Sequence, residues 1–364
     1  MKIALLSYST KPRGGVVHTL ALAEALAALG EDVTVWTLGR GGDAGFFRPV
    51  DPAVRLRIVP FPDGPADETV GARVLRSIAT FRAAFDPAPY DIVHAQDCIS
   101  ANAVGRCVRT VHHIDHFTTP ELAACHERAI VEPYAHVCVS TAVATELADG
   151  WGIEATVIPN GVAYDRFAAT DRAARASWRS RLGRYLLTVG GIEPRKGSLD
   201  LLEAYALLRA GHPDVRLVVA GGETLFDYRD YRARWERRAA ELGVEPVVLG
   251  AVPDDDLPSL VAAADAFAFP SVKEGFGLAA MEALAAGVPL VVRELPVLRE
   301  VFGPAARFAT TPEDLARELT AALTNHDPTR RTAGQHLAAH HTWTTTAHRH
   351  LTLYRTLTSS RVSR

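Results

Sequence analysis

Short apolar runs alternate with helix-length segments along almost the whole chain, and this alternation restricts the fold to a layered α/β architecture. Lys2–Ser9 has the continuous apolar character of a strand that is buried on both faces. A glycine-bearing loop follows, then a helical pattern from Val16 to Leu29 that Gly30 is placed to end. Asp32–Leu38 is the next strand. Two strands joined by a helix indicate a parallel βαβ unit, so the first domain is predicted to be a doubly wound sheet.

The same alternation begins again at Tyr185–Val189, and the loop Gly190–Gly197 follows this strand pattern. Ser198 is predicted to cap the helix Leu199–Ala210. A chain of 364 residues exceeds what a single hydrophobic core usually serves. The sequence therefore predicts two similar Rossmann-like domains that face each other across a cleft. The polar stretch from about Asp165 to Arg184 is interpreted as the junction between them.

The remaining apolar runs and periodic segments extend the pattern through both halves. Further strands are predicted at Arg55–Val59, Ile92–Ala95, Arg106–His112, Val137–Ser140, Thr156–Ile158, Val215–Ala220, Val247–Leu249, Ala266–Phe269 and Pro289–Val292. Further helices are predicted at Val70–Phe85, Pro120–Glu132, Ala142–Trp151, Tyr231–Leu242, Pro258–Ala264, Leu278–Ala286 and Pro312–Leu323. The arginines of Val70–Phe85 allow a basic amphipathic face at a membrane or a surface helix packed on the sheet, and the second interpretation is preferred.

Composition and charge exclude several functional classes. The chain is 48% hydrophobic and 22% charged, which is typical of a globular protein. Its 39 Lys and Arg nearly balance its 42 Asp and Glu, so there is no overall positive field to bind nucleic acid or an anionic membrane. The N-terminus resembles no signal peptide, and the four cysteines show no CxxC spacing. We expect a cytoplasmic protein with free thiols and at most peripheral membrane contact.

The loop after the predicted strand Ala266–Phe269 carries the strongest signal for chemistry. Ligands of open α/β sheets bind at the carboxyl ends of the strands, where loops meet helix N-termini. Gly275 and Gly277 let the backbone approach a ligand, and the N–H groups of the first helical turn favour a diphosphate. Glu274 precedes that turn, and Glu282 lies within a helix that is otherwise apolar. A buried carboxylate without partners is costly, so Glu282 is predicted to bind ribose hydroxyls.

Two cations occupy the corresponding loop after the strand Tyr185–Val189. Arg195 and Lys196 lie beside Gly191, and they could neutralise the charge that develops on a departing diphosphate. The alternative is a solvated basic turn. Both loops are expected at the same edge of one sheet, which favours the functional interpretation.

Gly14 and Gly15 occupy the equivalent loop of the first domain, where they could approach a phosphate. They do not form a GxGxxG motif, and Thr37–Gly39 supplies no acidic residue for a dinucleotide ribose. An NAD-dependent dehydrogenase is therefore disfavoured.

Histidines follow two strands of the first domain. His112 and His113 open the run that ends at His116, and they are predicted to contact substrate hydroxyls. His94 and Asp97 occupy a similar position, where acceptor binding and a structural role are equally open. No histidine or cysteine pair shows a familiar zinc spacing, so no metal site is predicted. The DxD sequence in Asp254–Asp256 precedes a helix, and N-capping explains it.

Several segments resemble glycosyltransferase family 4 (GT4), the retaining glycosyltransferases of the GT-B fold. Glu274 and Glu282 match the EX7E motif of that family, within PSVKEGFGLAAMEALAAGVPLVV. Further matches, in the family's order, are VIPNGVAYDRF, VGGIEPRKGSLDLLEAY, VVAGG and LGAVPDDDLPSLVAAADAFAFPS. The resemblance implies an acceptor-binding domain over residues 1–168, a donor-binding domain over 169–342, and a helix over 343–364 that returns to the first domain.

The resemblance also implies a role for each matching residue. Glu274 would contact hydroxyls of the donor sugar, and Glu282 the ribose. His112 resembles the family's histidine beside the reacting sugar, with His113 as the alternative. The diphosphate would be held by Arg195, Lys196 and the backbone of Phe276, Gly277 and Leu278. The other donor-binding residues would be Gly14, Gly15, Asn160, Gly191, Val252 and Gly275.

The implied activity is transfer of a hexose-type sugar from a nucleoside-diphosphate sugar, with retention of configuration and without a metal or other cofactor. UDP is the favoured donor base and GDP is an alternative, and three acceptor classes stay open: a small molecule, a glycan or a lipid-linked group. Two other functions stay open: a nucleotide-sugar epimerase of the same fold, and a non-catalytic sugar-binding protein.

Overall fold

The computed structural model describes residues 1–115, 117, 119–222 and 228–362, so His116 lies outside the described residues. The chain forms two compact units. The first comprises Met1–Gly161 and the C-terminal residues from Trp343, and the second comprises Val162–Thr342. Each unit contains one sheet in which all pairings are parallel, as the sequence predicted.

The first unit contains a seven-stranded sheet in the order β3-β2-β1-β4-β5-β6-β7. Its strands are β1 (Lys2–Leu6), β2 (Asp32–Arg40), β3 (Arg55–Phe61), β4 (Ile92–Ala95), β5 (Val108–Val111), β6 (Ala135–Cys138) and β7 (Thr156–Val157). Its helices are α1 (Gly14–Ala28), α2 (Val70–Ala84), α3 (Cys98–Val104), α4 (Pro120–Val131), α5 (Thr141–Trp151) and α15 (Trp343–Val362).

The second unit contains a six-stranded sheet in the order β10-β9-β8-β11-β12-β13. Its strands are β8 (Arg184–Val189), β9 (Val215–Ala220), β10 (Val247–Gly250), β11 (Ala266–Phe269), β12 (Leu290–Arg293) and β13 (Arg307–Ala309). Its helices are α6 (Tyr164–Ala168), α7 (Arg172–Leu182), α8 (Ser198–Arg209), α9 (Arg229–Glu241), α10 (Leu257–Ala262), α11 (Leu278–Ala285), α12 (Pro296–Phe302), α13 (Pro312–Thr324) and α14 (Pro328–His340), with 3-10 turns at Pro194–Lys196 and Gly303–Ala305.

The alternation of β1 explains why both faces of the first sheet are covered. Ile3 and Leu5 belong to the core that includes α1 and α15, whereas Ala4 and Leu6 belong to the core on the opposite face. Successive side chains of a strand point to opposite faces, so a short run of apolar residues serves two cores. The strand order places β1 and β8 in the interior of their sheets, with a neighbouring strand on each side.

The strand order gives each sheet one topological switch point. The chain goes from β1 outward to β2 and β3, then returns to place β4 on the other side of β1. In the second unit β8 lies between β9 and β11 in the same way. Loops leave adjacent strands in opposite directions at such a point, and the crevice between them is where open α/β sheets bind ligands.

Several local predictions differ from the structure. The predicted junction is helical, because α7 buries Trp178 and Leu182 although most of its residues are polar. The predicted boundary at residue 168 lies inside the second unit, since α6 packs on α10 and α11. Gly14 and Gly15 form the first turn of α1 instead of a loop.

Two predicted helix caps are wrong. Gly197 is the N-cap of α8, and the Ser198 hydroxyl donates to the carbonyl of Glu193 instead of capping the helix. Asp256 is the N-cap of α10, but its side chain makes no capping hydrogen bond. The carbonyl of Asp256 instead accepts a hydrogen bond from Ser259 Oγ, at 2.9 Å.

Helix α2 follows the preferred interpretation of a helix packed on the sheet. Val74, Ile78 and Phe81 are buried, and Arg82 donates to backbone carbonyls of the neighbouring α3. Arg76 forms a two-pronged ion pair with Glu68, at 2.6 and 2.9 Å. Within the described residues, no helix has the length and apolar character needed to cross a membrane.

Candidate active site

The loop between β11 and α11 has a backbone that requires glycine. Gly277 is the N-cap of α11 with φ of 98°, a conformation that L side chains rarely adopt. A Cβ atom there would lie 3.1 Å from the ring of Phe302 and 3.3 Å from that of Phe269. Phe276 is buried beside it. The start of α11 is therefore fixed in position, with the backbone of Gly275–Leu278 at the carboxyl edge of the sheet.

Glu274 meets both predicted cations across two adjacent strands. Arg195 Nη1 lies 3.2 Å from Glu274 Oε1, and Lys196 Nζ forms an ion pair with the same oxygen. Glu193 is a second anion of the group, 3.2 Å from Arg195 Nη2. The structure thus brings together residues that are far apart in the sequence, because β8 and β11 are paired in parallel.

Two backbone features hold these loops together. Val272 N–H donates to the carbonyl of Arg195 at 2.8 Å. Gly197 has φ of 63°, and a Cβ atom there would lie 2.2 Å from the carbonyl oxygen of Pro270. The 3-10 turn Pro194–Lys196 therefore lies directly against the loop after β11. The backbone thus sets the distance between the two cations of this turn and Glu274.

Glu282 lies one turn into α11 and is half-buried. Among the residues that the structure describes, none hydrogen-bonds its carboxylate. Burial raises the pKa of Glu282 to about 8; Asp254 adds to the rise and Arg166 opposes it. A carboxyl group in this state accepts ligand hydroxyls without first breaking a bond within the protein.

Other predicted donor residues lie at the same edge of the second sheet. Gly190 N–H donates to the carbonyl of Ala220 at 2.8 Å, which places Gly191 next to the end of β9. A Cβ atom on Gly222 would lie 3.4 Å from that of Ala251, so the loops after β9 and β10 also touch. Val252, which is half-buried, lies in the loop after β10.

In the first unit, α1 brings Gly15 against His112. A Cβ atom on Gly15 would lie 3.7 Å from the His112 ring. Burial lowers the pKa of His112 well below the usual value, and Arg109 and His113 lower it further, so the ring is neutral near pH 7. His113 instead pairs with Asp115, 3.2 Å away. Of the two candidate histidines, His112 is therefore the one that contacts α1.

His18 was missed by the sequence analysis, yet it organises this region. It is fully buried, its Nδ1 donates to Asn160 Oδ1 at 2.8 Å, and its ring packs edge-on against His112 and Trp343. Asn160, predicted to bind the donor, thus has its side-chain oxygen engaged by His18. The only signal in the sequence is a histidine at an otherwise apolar helix position, which also occurs in many cores.

His94 and Asp97, for which acceptor binding and a structural role were both open, make hydrogen bonds within the protein. His94 is fully buried, and its two ring nitrogens hydrogen-bond with the hydroxyls of Tyr354 and Thr110, at 2.6 and 2.7 Å. Asp97 caps α3 by accepting from Ser100 N–H, and it also accepts from Tyr8 N–H. Both ring nitrogens of His94 and both carboxylate oxygens of Asp97 therefore have partners within the protein, which favours the structural role.

The DxD sequence contributes to an ion pair. Asp254 Oδ2 lies 2.6 Å from Arg166 Nη2 on α6. In the described part of the chain, no three His, Cys, Asp or Glu side chains are grouped as ligands for a metal ion.

Two family models match successive parts of the chain. "Glycosyltransferase Family 4" matches residues 12–166, and "Glycosyl transferases group 1" matches residues 173–336. The D-inositol 3-phosphate glycosyltransferase of Corynebacterium aurimucosum is 32% identical, over 80% of this chain and 79% of its own. This chain belongs to glycosyltransferase family 4. The resemblance that the sequence predicted is therefore confirmed, and the family member described here is an enzyme that transfers a sugar from a nucleotide-sugar.

Two further relatives of this family member are mannosyltransferases by name. The MMP alpha-(1->4)-mannosyltransferase of Mycolicibacterium hassiacum is 29% identical over 89% of this chain and 88% of its own. The phosphatidyl-myo-inositol mannosyltransferase of Mycobacterium tuberculosis is also 29% identical, over 99% of this chain and 98% of its own.

Solved structures confirm the predicted GT-B fold. HepE from Anabaena, crystallised with UDP and glucose, has a TM-score of 0.77 at 22% identity, covering 99% of this chain and 100% of its own. Sucrose-phosphate synthase from Thermosynechococcus elongatus has a TM-score of 0.80 at 20% identity, covering 99% of both chains. At these identities the likeness establishes the fold alone.

Proposed function

We propose that this glycosyltransferase moves a hexose-type sugar from a nucleoside-diphosphate sugar to an acceptor hydroxyl, with retention of configuration and without a divalent metal. The observation that carries the proposal is the convergence of Arg195 and Lys196 on Glu274. Two cations and one carboxylate at the carboxyl ends of paired strands suit a diphosphate and the sugar attached to it. In this proposal the second unit binds the donor and the first binds the acceptor.

The charges suggest how the donor is held. Glu274 neutralises Lys196 and Arg195 in the free protein, and an arriving diphosphate supplies a stronger anion for both cations. The Glu274 carboxylate is then released to accept hydrogen bonds from sugar hydroxyls. The α11 N-terminus adds backbone N–H groups toward the phosphates, and Glu282 accepts from the ribose.

The reaction exchanges one bond at the anomeric carbon for another. The bond from that carbon to the diphosphate oxygen breaks, and its electron pair leaves with the diphosphate. The acceptor oxygen forms the new bond on the same face, and its proton passes to the departing phosphate oxygen. Arg195 and Lys196 stabilise the negative charge that develops on the leaving group. The neutral His112 ring is proposed to hydrogen-bond a hydroxyl near the reacting centre.

UDP is the favoured donor base, on the basis of its frequency in the family, and GDP is the alternative. Calorimetric titration with UDP, GDP and ADP tests this choice, with one nucleotide expected to bind at least about tenfold more tightly than the others. Equal binding of all three would argue against a built nucleotide site. Activity that survives EDTA treatment is expected if no metal is required.

Product analysis separates this proposal from the two alternatives. A transferase releases nucleoside diphosphate and forms a glycoside, whose α or β anomer is assigned by NMR against the donor. An epimerase would form a new nucleotide sugar without any acceptor. A binding protein would retain the donor with no turnover.

A further inference from the structure

A group of arginines surrounds Tyr8 at the carboxyl ends of β1 and β2. Arg13, the residue before α1, donates from Nη1 to the Tyr8 hydroxyl at 2.9 Å. Arg40, the last residue of β2, places its guanidinium carbon 5.2 Å from the centre of the Tyr8 ring. Burial lowers the pKa of Arg40. The positive charges of Arg73, in the first turn of α2, and of Arg13 lower it further. We name Arg13 and Arg40, the two arginines that contact Tyr8, the arginine cluster.

The nearby acids offset only part of the positive charge, because the effect of Asp97 on the pKa of Arg40 is smaller than that of either Arg73 or Arg13. Glu68 has both oxygens committed to Arg76, and Asp97 caps α3 while it accepts from Tyr8 N–H. Neither Arg13 nor Arg40 forms an ion pair with any described residue. Like charges that approach one another in a half-buried site raise its energy, and an anion that binds there relieves this repulsion.

The unused donors of the site point to a ligand. Within the described parts of the chain, Nε of Arg13 and Nε of Arg40 are buried without a hydrogen-bond acceptor. Gln96 is 1% exposed, and neither its amide nitrogen nor its amide oxygen has a hydrogen-bond partner among the described residues. It follows β4 directly, and its backbone N–H donates to the carbonyl of Leu6 at 2.9 Å. Gln96 therefore lies at the end of the strand next to β1, at the switch point of this sheet.

We propose that the arginine cluster binds a phosphate group on the acceptor, and that the Gln96 amide binds a hydroxyl of the same molecule. A phosphate monoester carries up to two negative charges and three acceptor oxygens, which match two guanidinium groups better than the single charge of a carboxylate does. An amide offers both a donor and an acceptor, as a sugar or polyol hydroxyl requires. This inference rests on the proposed function, since it names the acceptor class of that enzyme.

The arginine cluster is tested by direct binding of matched pairs to the full chain. The pairs are glucose and glucose 6-phosphate, mannose and mannose 6-phosphate, and myo-inositol and its 1-phosphate, with glucuronate as the carboxylate probe. At least one phosphorylated compound is expected to bind about tenfold or more tightly than its unphosphorylated partner. Arg13→Gln and Arg40→Gln should each weaken that binding by about tenfold or more, since each removes charged hydrogen bonds.

Arg57→Gln is the matched control, because Arg57 is exposed on β3 and loses the same charge. It should bind the phosphorylated compound as the wild type does. Gln96→Leu should weaken both members of the preferred pair alike, because it removes a hydroxyl contact and no charge. Thermal unfolding shows whether each variant is folded.

The same measurements identify the source of the phosphate. Phosphatidylcholine vesicles with and without phosphatidylinositol distinguish a lipid headgroup from a soluble phosphate ester, and arginine-dependent binding of either supports the proposal. Equal binding of both members of every pair, tighter binding of glucuronate, or wild-type binding by folded Arg13→Gln and Arg40→Gln would overturn it. Binding of UDP is measured separately. A failure of the proposed donor site can therefore be distinguished from a failure of the proposed phosphate site.

Discussion

The rings of His18 and His112 meet edge-on in the first unit, with their centroids 4.8 Å apart. His18 is held by Asn160, which immediately precedes the last residue of this part of the unit. Two residues of α1, Gly15 and His18, thus contact the His112 ring and restrict its orientation. The geometry of His112 therefore depends on residues that precede and follow it far along the chain.

His18→Ala is expected to lower turnover by about tenfold to a hundredfold, because a misplaced catalytic group loses rate steeply with distance. Binding of UDP should change much less than turnover, since Arg195, Lys196 and the N-terminus of α11 lie in the second unit. Steady-state kinetics and UDP titration measure the two effects. His348→Ala on the exposed face of α15 is the control and should leave both constant. Wild-type turnover in a folded His18→Ala variant would show that His112 needs no such support.

Glu274→Gln is expected to reduce transfer by about a hundredfold or more, because the amide cannot accept sugar hydroxyls at both of its positions as a carboxylate does. UDP should bind as tightly as before or more tightly, since Glu274 no longer competes for Lys196 and Arg195. Glu245→Gln, at an exposed position, is the control. Turnover at the wild-type level would contradict the role proposed for Glu274.

Lys196→Ala and Arg195→Ala are each expected to weaken UDP binding by about tenfold, as the loss of one charged hydrogen bond to a phosphate predicts. Product inhibition by UDP measures this directly. Arg216→Ala, at an exposed position of β9, removes a charge elsewhere in the same unit and should change nothing. Unchanged inhibition in both site variants would contradict the proposed binding of the diphosphate by Arg195 and Lys196.

The raised pKa of Glu282 predicts a pH dependence of stability. The folded protein binds this proton up to about pH 8, whereas the ordinary value is 4.5. The stabilisation is thus complete below about pH 4.5 and is lost as the pH rises through 8. Urea unfolding measures the free energy of unfolding across this range. As the pH rises, Glu282→Gln should become progressively more stable relative to the wild type, whereas Glu245→Gln should not. A constant difference across the range would contradict the raised pKa.

Donor binding should also release the Glu282 proton if the ionised carboxylate accepts the ribose hydroxyls. UDP titrations at pH 7 in buffers of different ionisation enthalpy measure that release. Glu282→Gln should abolish it. Proton release of the same size in wild type and variant would assign the effect to another group.

The alternation of apolar runs and helical patterns is sufficient to predict the parallel sheets, because hydrophobic periodicity is a local property of the sequence. The loop at Glu274 was equally accessible, since a glycine-rich turn between a strand and a helix is a local signal. Local signals were less reliable at helix ends. Ser198 failed as a cap because Gly197, with its left-handed backbone, occupies that position.

The sequence by itself determined the classes of the elements, the two-domain α/β organisation and the loops that carry charge. Only the tertiary structure decided which charges meet. Lys196 and Glu274 are 78 residues apart, and His18 and Asn160 are 142 apart. Such pairs follow from strand order and register, which depend on packing between distant segments. The periodicity of a sequence does not specify how distant segments pack. The arginine cluster and the buried position of His18 could therefore be found only from the tertiary structure.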